Sequence, residues 1–249
     1  MILDSHSHFP TSSRAGRHFS TPLQQIEAWR QLGGNGTIFT TWQGVLGTSA
    51  KDVEEGNRDA LEIYARHQDF VYPGVSIHPK FPELSLSWIR EFHRQGFHWA
   101  GEWCPAAGLE FDAPEYEPLF ACCEELGMVV QLHNSSGIIQ IAKQHPSLDI
   151  VVAHIHFDFL REEGSLPNVW QDISGYCGGL CWNSLEQAKD AFGIKRLFYG
   201  TDFDGYDPEV YIHRIQTHFT PEEQQDIFYR NLLAFLKKHQ ILNAFGITY

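Results

Sequence analysis

The first predicted strand, Ile2–Ser5, and the residues after it read Ile2-Leu3-Asp4-Ser5-His6-Ser7-His8-Phe9, and this stretch decides between two folds. Strands alternate with helices along the rest of the chain, which predicts parallel pairing in either an open doubly wound sheet or a closed barrel. An open sheet usually carries a glycine-rich phosphate loop after its first strand. Because this stretch has no glycine, we predict an α/β fold, a single-domain (β/α)8 TIM barrel with its active site at the C-terminal ends of the strands.

The alternation consists of short apolar runs and longer amphipathic segments. We predict eight strands, at Ile2–Ser5, Thr37–Trp42, Val71–Ile77, Trp99–Trp103, Met128–His133, Ile150–His154, Val169–Ile173 and Leu197–Thr201. We predict helices at Pro22–Leu32, Val53–His67, Leu86–Gln95, Glu115–Leu126, Ile138–His145, Ser184–Phe192, Glu209–His218 and Pro221–His239. Thr220 is the expected N-cap of the last helix, with Pro221 in its first turn. No repeat or linker divides the chain, so residues 1–249 are expected to form one domain.

The composition is that of an ordinary globular protein, with 43% hydrophobic and 20% charged residues. The 18 Lys and Arg against 31 Asp and Glu give a net charge of −13, which repels nucleic-acid backbones and anionic membranes. The expected partner is a small-molecule substrate, not a long nucleic acid or a membrane, and a homo-oligomer is left open. The N-terminus has no signal-peptide pattern and no stretch approaches the roughly 20 apolar residues of a membrane helix, so we expect a cytoplasmic protein.

The five cysteines do not form the pattern of a disulfide framework or of a cysteine zinc cluster. They are Cys104, Cys122, Cys123, Cys177 and Cys181. An odd count, an adjacent pair and the lack of paired CxxC motifs instead predict buried free thiols. No role is assigned to them.

The strongest local signal is the pair His6 and His8, which are two residues apart at the end of the first strand. Residues two apart in an extended segment project to the same side. Two imidazoles that share a side suit a zinc-like ion. Two histidines on a polar surface are the alternative for this pair taken alone.

Four other potential ligands stand where a hydrophobic run passes into a loop. Glu102 lies at the fourth predicted strand, His133 ends the fifth, His154 ends the sixth and Asp202 follows the eighth. A single strand histidine is more often a core residue, and an isolated aspartate often caps a turn. The placement of such groups at one strand end after another is better explained by a metal site at the mouth of the barrel.

These residues resemble the amidohydrolase superfamily, in particular its amidohydrolase-2 branch. The likeness is carried by the HxH pair and by Val152-Ala153-His154, Asp172-Ile173-Ser174, Phe198-Tyr199-Gly200-Thr201-Asp202 and the closing segment 227–235. Two features, Ile77-His78-Pro79 and Ala100-Gly101-Glu102, are similar to TatD-like metal-dependent hydrolases. The resemblance spans nearly the whole chain, but its motifs do not identify a substrate.

The resemblance implies that His6, His8 and Asp202 bind a first metal with Glu102 beside them. His133 and His154 would complete a second position, with Glu102 as the bridge. In decarboxylase-type members a single metal is held by the HxH pair, the fifth-strand histidine and the aspartate, and the sixth-strand histidine is the acid or base. The bridging carboxylated lysine of many members has no counterpart near Glu102. We therefore expect one or two divalent ions, Zn2+ in the first instance, and favour two.

The predicted function is a metal-dependent hydrolase that uses a metal-activated water on an amide, lactone or other ester-like bond of a small molecule. Asp202 and His154 are the expected catalytic residues, with Asp202 as the proton acceptor. The alternatives are a TatD-like phosphodiesterase or deoxyribonuclease and a non-oxidative decarboxylase of an aromatic or unsaturated acid. A structural metal in a binding protein is disfavoured, because such sites usually have closed shells, often with cysteines.

Further side chains are expected near the substrate. They are His78 after the third strand, Trp42 and Trp103 at strand mouths, and Arg17 in the first loop with Arg14 and His18. Arginine can clamp an anionic group, although a solvated basic loop is the alternative. Tryptophans at such positions are equally common in the core. His156 is expected to diverge from the site, and Asp172 to support other residues.

Overall fold

A computed structural model of the chain describes residues 1–175, 180–241 and 244–247. In these ranges the strands are β1 Leu3–Phe9, β2 Gly36–Thr41, β3 Val71–Pro73, β4 Trp99–Trp103, β5 Val129–His133, β6 Ile150–Ala153, β7 Val169–Asp172 and β8 Leu197–Phe198. The helices are α1 Pro22–Gln31, α2 Trp42–Val45, α3 Ala50–His67, α4 Pro82–Arg94, α5 Glu117–Glu125, α6 Ile138–Gln144, α7 Leu160–Ser165, α8 Ser184–Phe192, α9 Pro208–His218, α10 Pro221–Gln225 and α11 Asn231–Lys238. Cys177 lies outside the described residues.

All strand pairs are parallel and follow chain order, in one sheet of β1 to β3 and one of β4 to β8. Two isolated parallel bridges, Val75 with Ala100 and Ser7 with Phe203, connect the sheets on both sides. Each strand is followed by at least one helix, so the predicted (β/α)8 barrel is confirmed. Its strands are buried on both faces, as expected of a parallel sheet covered by helices.

Strand β1 is longer than predicted, and this changes the position of the HxH pair. Ser7, His8 and Phe9 pair with β2, so His6 and His8 lie within the strand rather than after it. Strand β8 is shorter than predicted because residues after Phe198 bond elsewhere: Tyr199 O accepts from Ser5 N, and Tyr199 N donates to Ile227 O. As a result, the segment that follows β8 lies beside β1, where Ser5 N donates to Tyr199 O.

The predicted last helix, 221–239, is divided by a wide helical turn at Asp226–Arg230. A turn of this type leaves carbonyls available to partners outside the helix. The carbonyl of Ile227 accepts from Tyr199 N at 3.0 Å, which joins the C-terminal segment to the barrel. Thr220 caps α10 through a capping box with Glu223, as the sequence predicts for this helix start.

Two short helices were not predicted, α2 and α7. Helix α2 begins at Trp42, which was assigned to a strand, because the Thr41 hydroxyl accepts from Gly44 N and starts the turn. Helix α7 has six residues and no capping side chain, so its sequence carries little helical signal. No helix among the described residues combines the length and hydrophobicity that crossing a bilayer requires.

Glu163 in α7 provides a test of the packing of this short helix. Its side chain is 0% exposed and neither carboxylate oxygen has a hydrogen-bond partner. Burial, with a smaller contribution from the charge of Glu162, raises the pKa of Glu163 from 4.5 to about 8. The folded state therefore retains a proton that the unfolded chain loses above pH 4.5. Stability is fullest below pH 4.5 and falls as the pH rises towards 8.

We expect Glu163→Gln to raise the free energy of unfolding at pH 8 and to have little effect near pH 5, because glutamine stays neutral at both. The gain can grow by at most about 1.4 kcal/mol per pH unit. Urea unfolding at the two pH values measures it. Glu27→Gln, at an exposed position in α1, is the control. A difference that is equal at both pH values would contradict the prediction.

Candidate metal centre

The six predicted ligands lie together at the C-terminal ends of the strands. They come from β1, β4, β5, the end of β6 and the segment after β8, and are His6, His8, Glu102, His133, His154 and Asp202. Most are buried, and the ring of His133 is the exception with 42% of its side chain exposed. Groups distant in the sequence thus form one cluster.

Four ligand atoms of this cluster face one centre, which we call the inner set. His6 Nε2 lies 3.1 Å from His8 Nε2, and these nitrogens lie 3.3 and 3.2 Å from Glu102 Oε2. Asp202 Oδ1 lies 3.3 Å from His8 Nε2 and 4.0 Å from His6 Nε2. Atoms bound about 2.0–2.2 Å from one ion lie roughly 3–3.5 Å from each other. Four of these five distances match that spacing, so His6, His8, Glu102 and Asp202 are placed where they can share one divalent cation.

The second oxygen of Glu102 faces different partners. Glu102 Oε1 lies 2.9 Å from His133 Nδ1 and 3.4 Å from His154 Nε2. The rings of His133 and His154 are in edge contact, with centroids 4.8 Å apart. One buried carboxylate is therefore shared between the inner set and a second group of donors.

Both histidines of the inner set are oriented by hydrogen bonds at Nδ1, the ring nitrogen that does not face the centre. His6 Nδ1 lies 2.9 Å from Asp172 Oδ2, and His8 Nδ1 lies 2.9 Å from Thr40 Oγ1. An ionised Asp172 can only accept, so His6 donates through Nδ1 and its Nε2 can offer a lone pair to the inner set. Asp172 also accepts from Gln131 Nε2 at 2.8 Å. Asp172 thus supports His6, in the way that the sequence predicts.

The segment after β7 positions His154. Ser174 Oγ lies 2.9 Å from His6 Nδ1 and 3.1 Å from His154 Nδ1. Gly175 has a φ of +71°, and a Cβ there would lie 2.1 Å from His154 Nδ1. Any other residue at this position would have to displace the ring, so glycine is required. His154 and Asp202 have φ values of 67° and 58°, unusual for non-glycine residues and frequent at functional sites.

The charges of the cluster are strongly coupled. Burial opposes ionisation of His6, but Glu102 and Asp172 outweigh this and raise the pKa of His6 well above its usual value. Burial likewise favours the neutral form of Glu102, yet the surrounding histidines hold its pKa well below the usual range. The pKa of Asp202 is lowered for the same reason, chiefly by His8 against the effect of burial. The buried carboxylates require positive charge, which protons or a cation can supply.

Trp42 and Arg17 lie beside the cluster. The Trp42 ring is 4.5 Å from the His8 ring, and the guanidinium of Arg17 is 5.1 Å from the Trp42 ring. Arg14 donates to the carbonyl of Trp42 at 3.3 Å. The Trp42 ring, which is 5% exposed, therefore forms a wall against His8, and both arginines contact Trp42 rather than a ligand atom.

Other predicted residues lie apart from the cluster. Trp103 is 2% exposed within the hydrophobic core, where its indole N–H donates to Val75 O at 2.8 Å, so its side chain does not face the open mouth. His78 Nδ1 accepts from Lys80 N at 3.2 Å and its ring packs on Phe81, so contact with a substrate stays a prediction. Strand β6 ends at Ala153, so His156 does not continue the strand. Its ring instead stacks on Phe159.

Sequence reasoning missed Asp204, which is 1% exposed. Asp204 Oδ1 accepts from Trp42 Nε1 at 2.8 Å, while Oδ2 accepts from the backbone N–H of His18 at 2.6 Å and of Phe19 at 3.2 Å. Asp204 therefore holds the Trp42 ring and the first loop, at His18 and Phe19, in place. Its position two residues after Asp202 was the only available signal.

A family model described as amidohydrolase matches residues 4–237. The chain belongs to the amidohydrolase family. This confirms the resemblance carried by the strand-end motifs. A search of curated proteins finds no significant match to this amidohydrolase.

Solved structures share the fold over nearly the whole chain. A dihydroxybenzoic acid decarboxylase from Polaromonas sp. JS666 has a TM-score of 0.78 and 12% identity, covering 100% of this chain and 99% of its own. A 2,6-dihydroxybenzoate decarboxylase from Rhizobium has a TM-score of 0.75 and 15% identity, covering 95% and 98%. A candidate 2-pyrone-4,6-dicarboxylic acid hydrolase from Pseudomonas putida has a TM-score of 0.74 and 17% identity, covering 95% and 97%.

Thr40 allows a test of the inner set that leaves its ligand atoms in place. Thr40→Val removes the hydroxyl that orients His8 and keeps the side-chain shape, so zinc affinity is expected to fall about 10- to 100-fold. Competition with a chromophoric chelator measures this affinity. Thr37→Val, on the same strand, is the control because the Thr37 hydroxyl bonds to Ser7. Equal zinc affinity in both variants would refute the orienting role of Thr40.

Proposed function

We propose that this amidohydrolase is a metal-dependent enzyme that hydrolyses an amide, lactone or other ester-like bond of a small molecule. The observation that carries the proposal is the inner set, in which the two histidine nitrogens lie 3.1 Å apart and each lies 3.2–4.0 Å from the oxygens of Glu102 and Asp202. Two imidazole nitrogens and two carboxylate oxygens suit Zn2+. Fold relatives from Polaromonas and Novosphingobium aromaticivorans contain manganese, so Mn2+ is the main competitor for the site.

The residues that would hold the ion are His6, His8, Glu102 and Asp202. A bound divalent cation lowers the pKa of a water ligand to about 7 and polarises the oxygen of the bond to be broken. Asp202 is the proposed proton acceptor, because 11% of its side chain is exposed at the mouth whereas Glu102 is 2% exposed. An aspartate is ionised at neutral pH, so Asp202 can accept the proton. His154 is the proposed second proton carrier.

The position of His133 favours hydrolysis over decarboxylation. The single-metal arrangement of decarboxylase-type relatives would require His133 to join His6, His8 and Asp202. Here His133 instead contacts Glu102 Oε1, the oxygen that faces away from the inner set. A glutamate shared between two donor groups supports two metal positions. Two divalent ions held by these residues would supply the activation of water that hydrolysis needs.

Decarboxylation of an aromatic acid is the second candidate. It is favoured by the two arginines beside the Trp42 wall, which fit a planar carboxylate. Several fold relatives are decarboxylases of substituted benzoic acids, although their low identity supports the fold alone.

Metal counting together with a substrate panel tests the proposed function. We expect about two divalent ions per chain and turnover of a lactone or amide that is lost on chelation and restored by zinc. The panel includes phosphodiesters and aromatic acids. Release of CO2 with one ion per chain would establish the second candidate, and cleavage of phosphodiesters alone would overturn both.

Asp202→Asn tests the proton acceptor within this mechanism. We expect turnover to fall at least about 100-fold while the circular dichroism spectrum is unchanged, because asparagine keeps the shape but cannot accept the proton. Metal content is measured in parallel to separate loss of the base from loss of the ion. Asp207→Asn is the control, since Asp207 caps α9 nearby. Near-normal turnover of Asp202→Asn would refute the role.

A further inference from the structure

A Glu-x-Cys sequence with the same spacing as the HxH pair begins in strand β4 and extends one residue beyond its end. Glu102 and Cys104 are separated by Trp103, and residues two apart in an extended segment share a side. The intervening Trp103 faces the core, where its indole donates to Val75 O. Cys104 therefore follows Glu102 towards the mouth of the barrel. Its side chain is partly exposed, unlike the buried Cys122 and Cys123 of α5.

Cys104 belongs to a group of three donors on the outer side of Glu102. Glu102, Cys104 and His133 each offer one ligand atom, and the three atoms lie within 4.8 Å of one another. The oxygen of Glu102 on this side, Oε1, is 2.9 Å from His133 Nδ1, whereas Oε2 serves the inner set. The outer group thus combines a carboxylate oxygen, an imidazole nitrogen and a sulfur around a common region.

His154 stands between the two groups. Its Nε2 lies 3.4 Å from Glu102 Oε1, and it also forms a compact group with His6 and Glu102. Its other nitrogen is held by Ser174 at 3.1 Å. This leaves His154 available for proton transfer when Cys104 supplies the third protein ligand of the outer position.

We propose that Cys104 is a metal ligand that, with Glu102 and His133, forms a second metal position selective for thiophilic divalent ions. This inference rests on the proposed function, because it assumes that the cluster holds metal. Thiolate favours Zn2+, Co2+ and Cd2+ over Mn2+. Binding breaks the S–H bond, forms a metal–sulfur bond and releases the proton to solvent, so no oxidant or reductant is needed. The outer position therefore discriminates between metals more strongly than the nitrogen and oxygen donors of the inner set.

Cobalt titration of the metal-free full-length protein tests this assignment. Co2+ bound by nitrogen and oxygen gives only weak visible bands, whereas a thiolate ligand adds an intense charge-transfer band in the near ultraviolet. We expect this band in the wild-type protein with about two cobalt ions bound per chain. Cys104→Ser is expected to lose the band and to retain about one ion. Cys181→Ser, a cysteine in the segment before α8, is the matched control and should keep both.

The outcomes separate this inference from the proposed function. Cobalt binding to the wild-type protein without a charge-transfer band overturns the role of Cys104 and leaves the inner set intact. A band that persists in Cys104→Ser also overturns it. No cobalt binding at all overturns both proposals. If Cys104→Ser does not fold, Cys104→Ala is measured in its place, and a band that persists in Cys104→Ala or disappears in Cys181→Ser overturns the assignment. A supporting measurement is competition between equal zinc and manganese, in which Cys104→Ser should lose about one zinc per chain.

Discussion

The buried carboxylate of Glu102 is the group on which the site depends. Four imidazoles surround it at 2.9–3.4 Å, and it is almost inaccessible to solvent. An ionised carboxylate in such a position is costly unless positive charge compensates it. The histidine nitrogens cannot compensate it while neutral, so the cluster must bind protons or a cation. The raised pKa of His6 and the lowered pKa of Glu102 have the same cause, which is the attraction between a positive imidazole and a negative carboxylate.

The barrel builds this cluster by bringing together strands that are distant in the sequence. Asp172 on β7 orients His6 on β1, and Thr40 on β2 orients His8. The chain after β8 returns to β1, where His6 O accepts from Asp202 N at 2.8 Å, so that Asp202 reaches the centre. Ligands and their supports thus come from opposite sides of the barrel. Closure of the strand ring is therefore a condition for the site, and the stability of the site cannot be separated from that of the fold.

The sequence located the candidate ligands better than the residues that orient them. The HxH pair, Glu102, His133, His154 and Asp202 are recognisable because each lies in or shortly after an apolar run, which periodicity locates. Thr40 is not recognisable in this way, since its role arises from the register that places it opposite His8. Asp204 acts through a loop that folds back from residues 16–19, and no local pattern encodes this return. The short helices α2 and α7 were missed because a few residues carry too little periodic signal.

In the proposed two-metal arrangement, Glu102 is the residue that would distinguish the two positions. Oε2 faces nitrogen and carboxylate donors that accept zinc and manganese alike, whereas Oε1 faces an imidazole and a thiol. A bridging carboxylate lets the charge of one ion influence the other, so loss of the outer ion would leave His133 and His154 paired with Glu102 alone. The reaction of the inner set would then proceed in a different electrostatic field. If both proposals hold, the metal in the outer position would affect the chemistry at the inner set as well as the stability of the site.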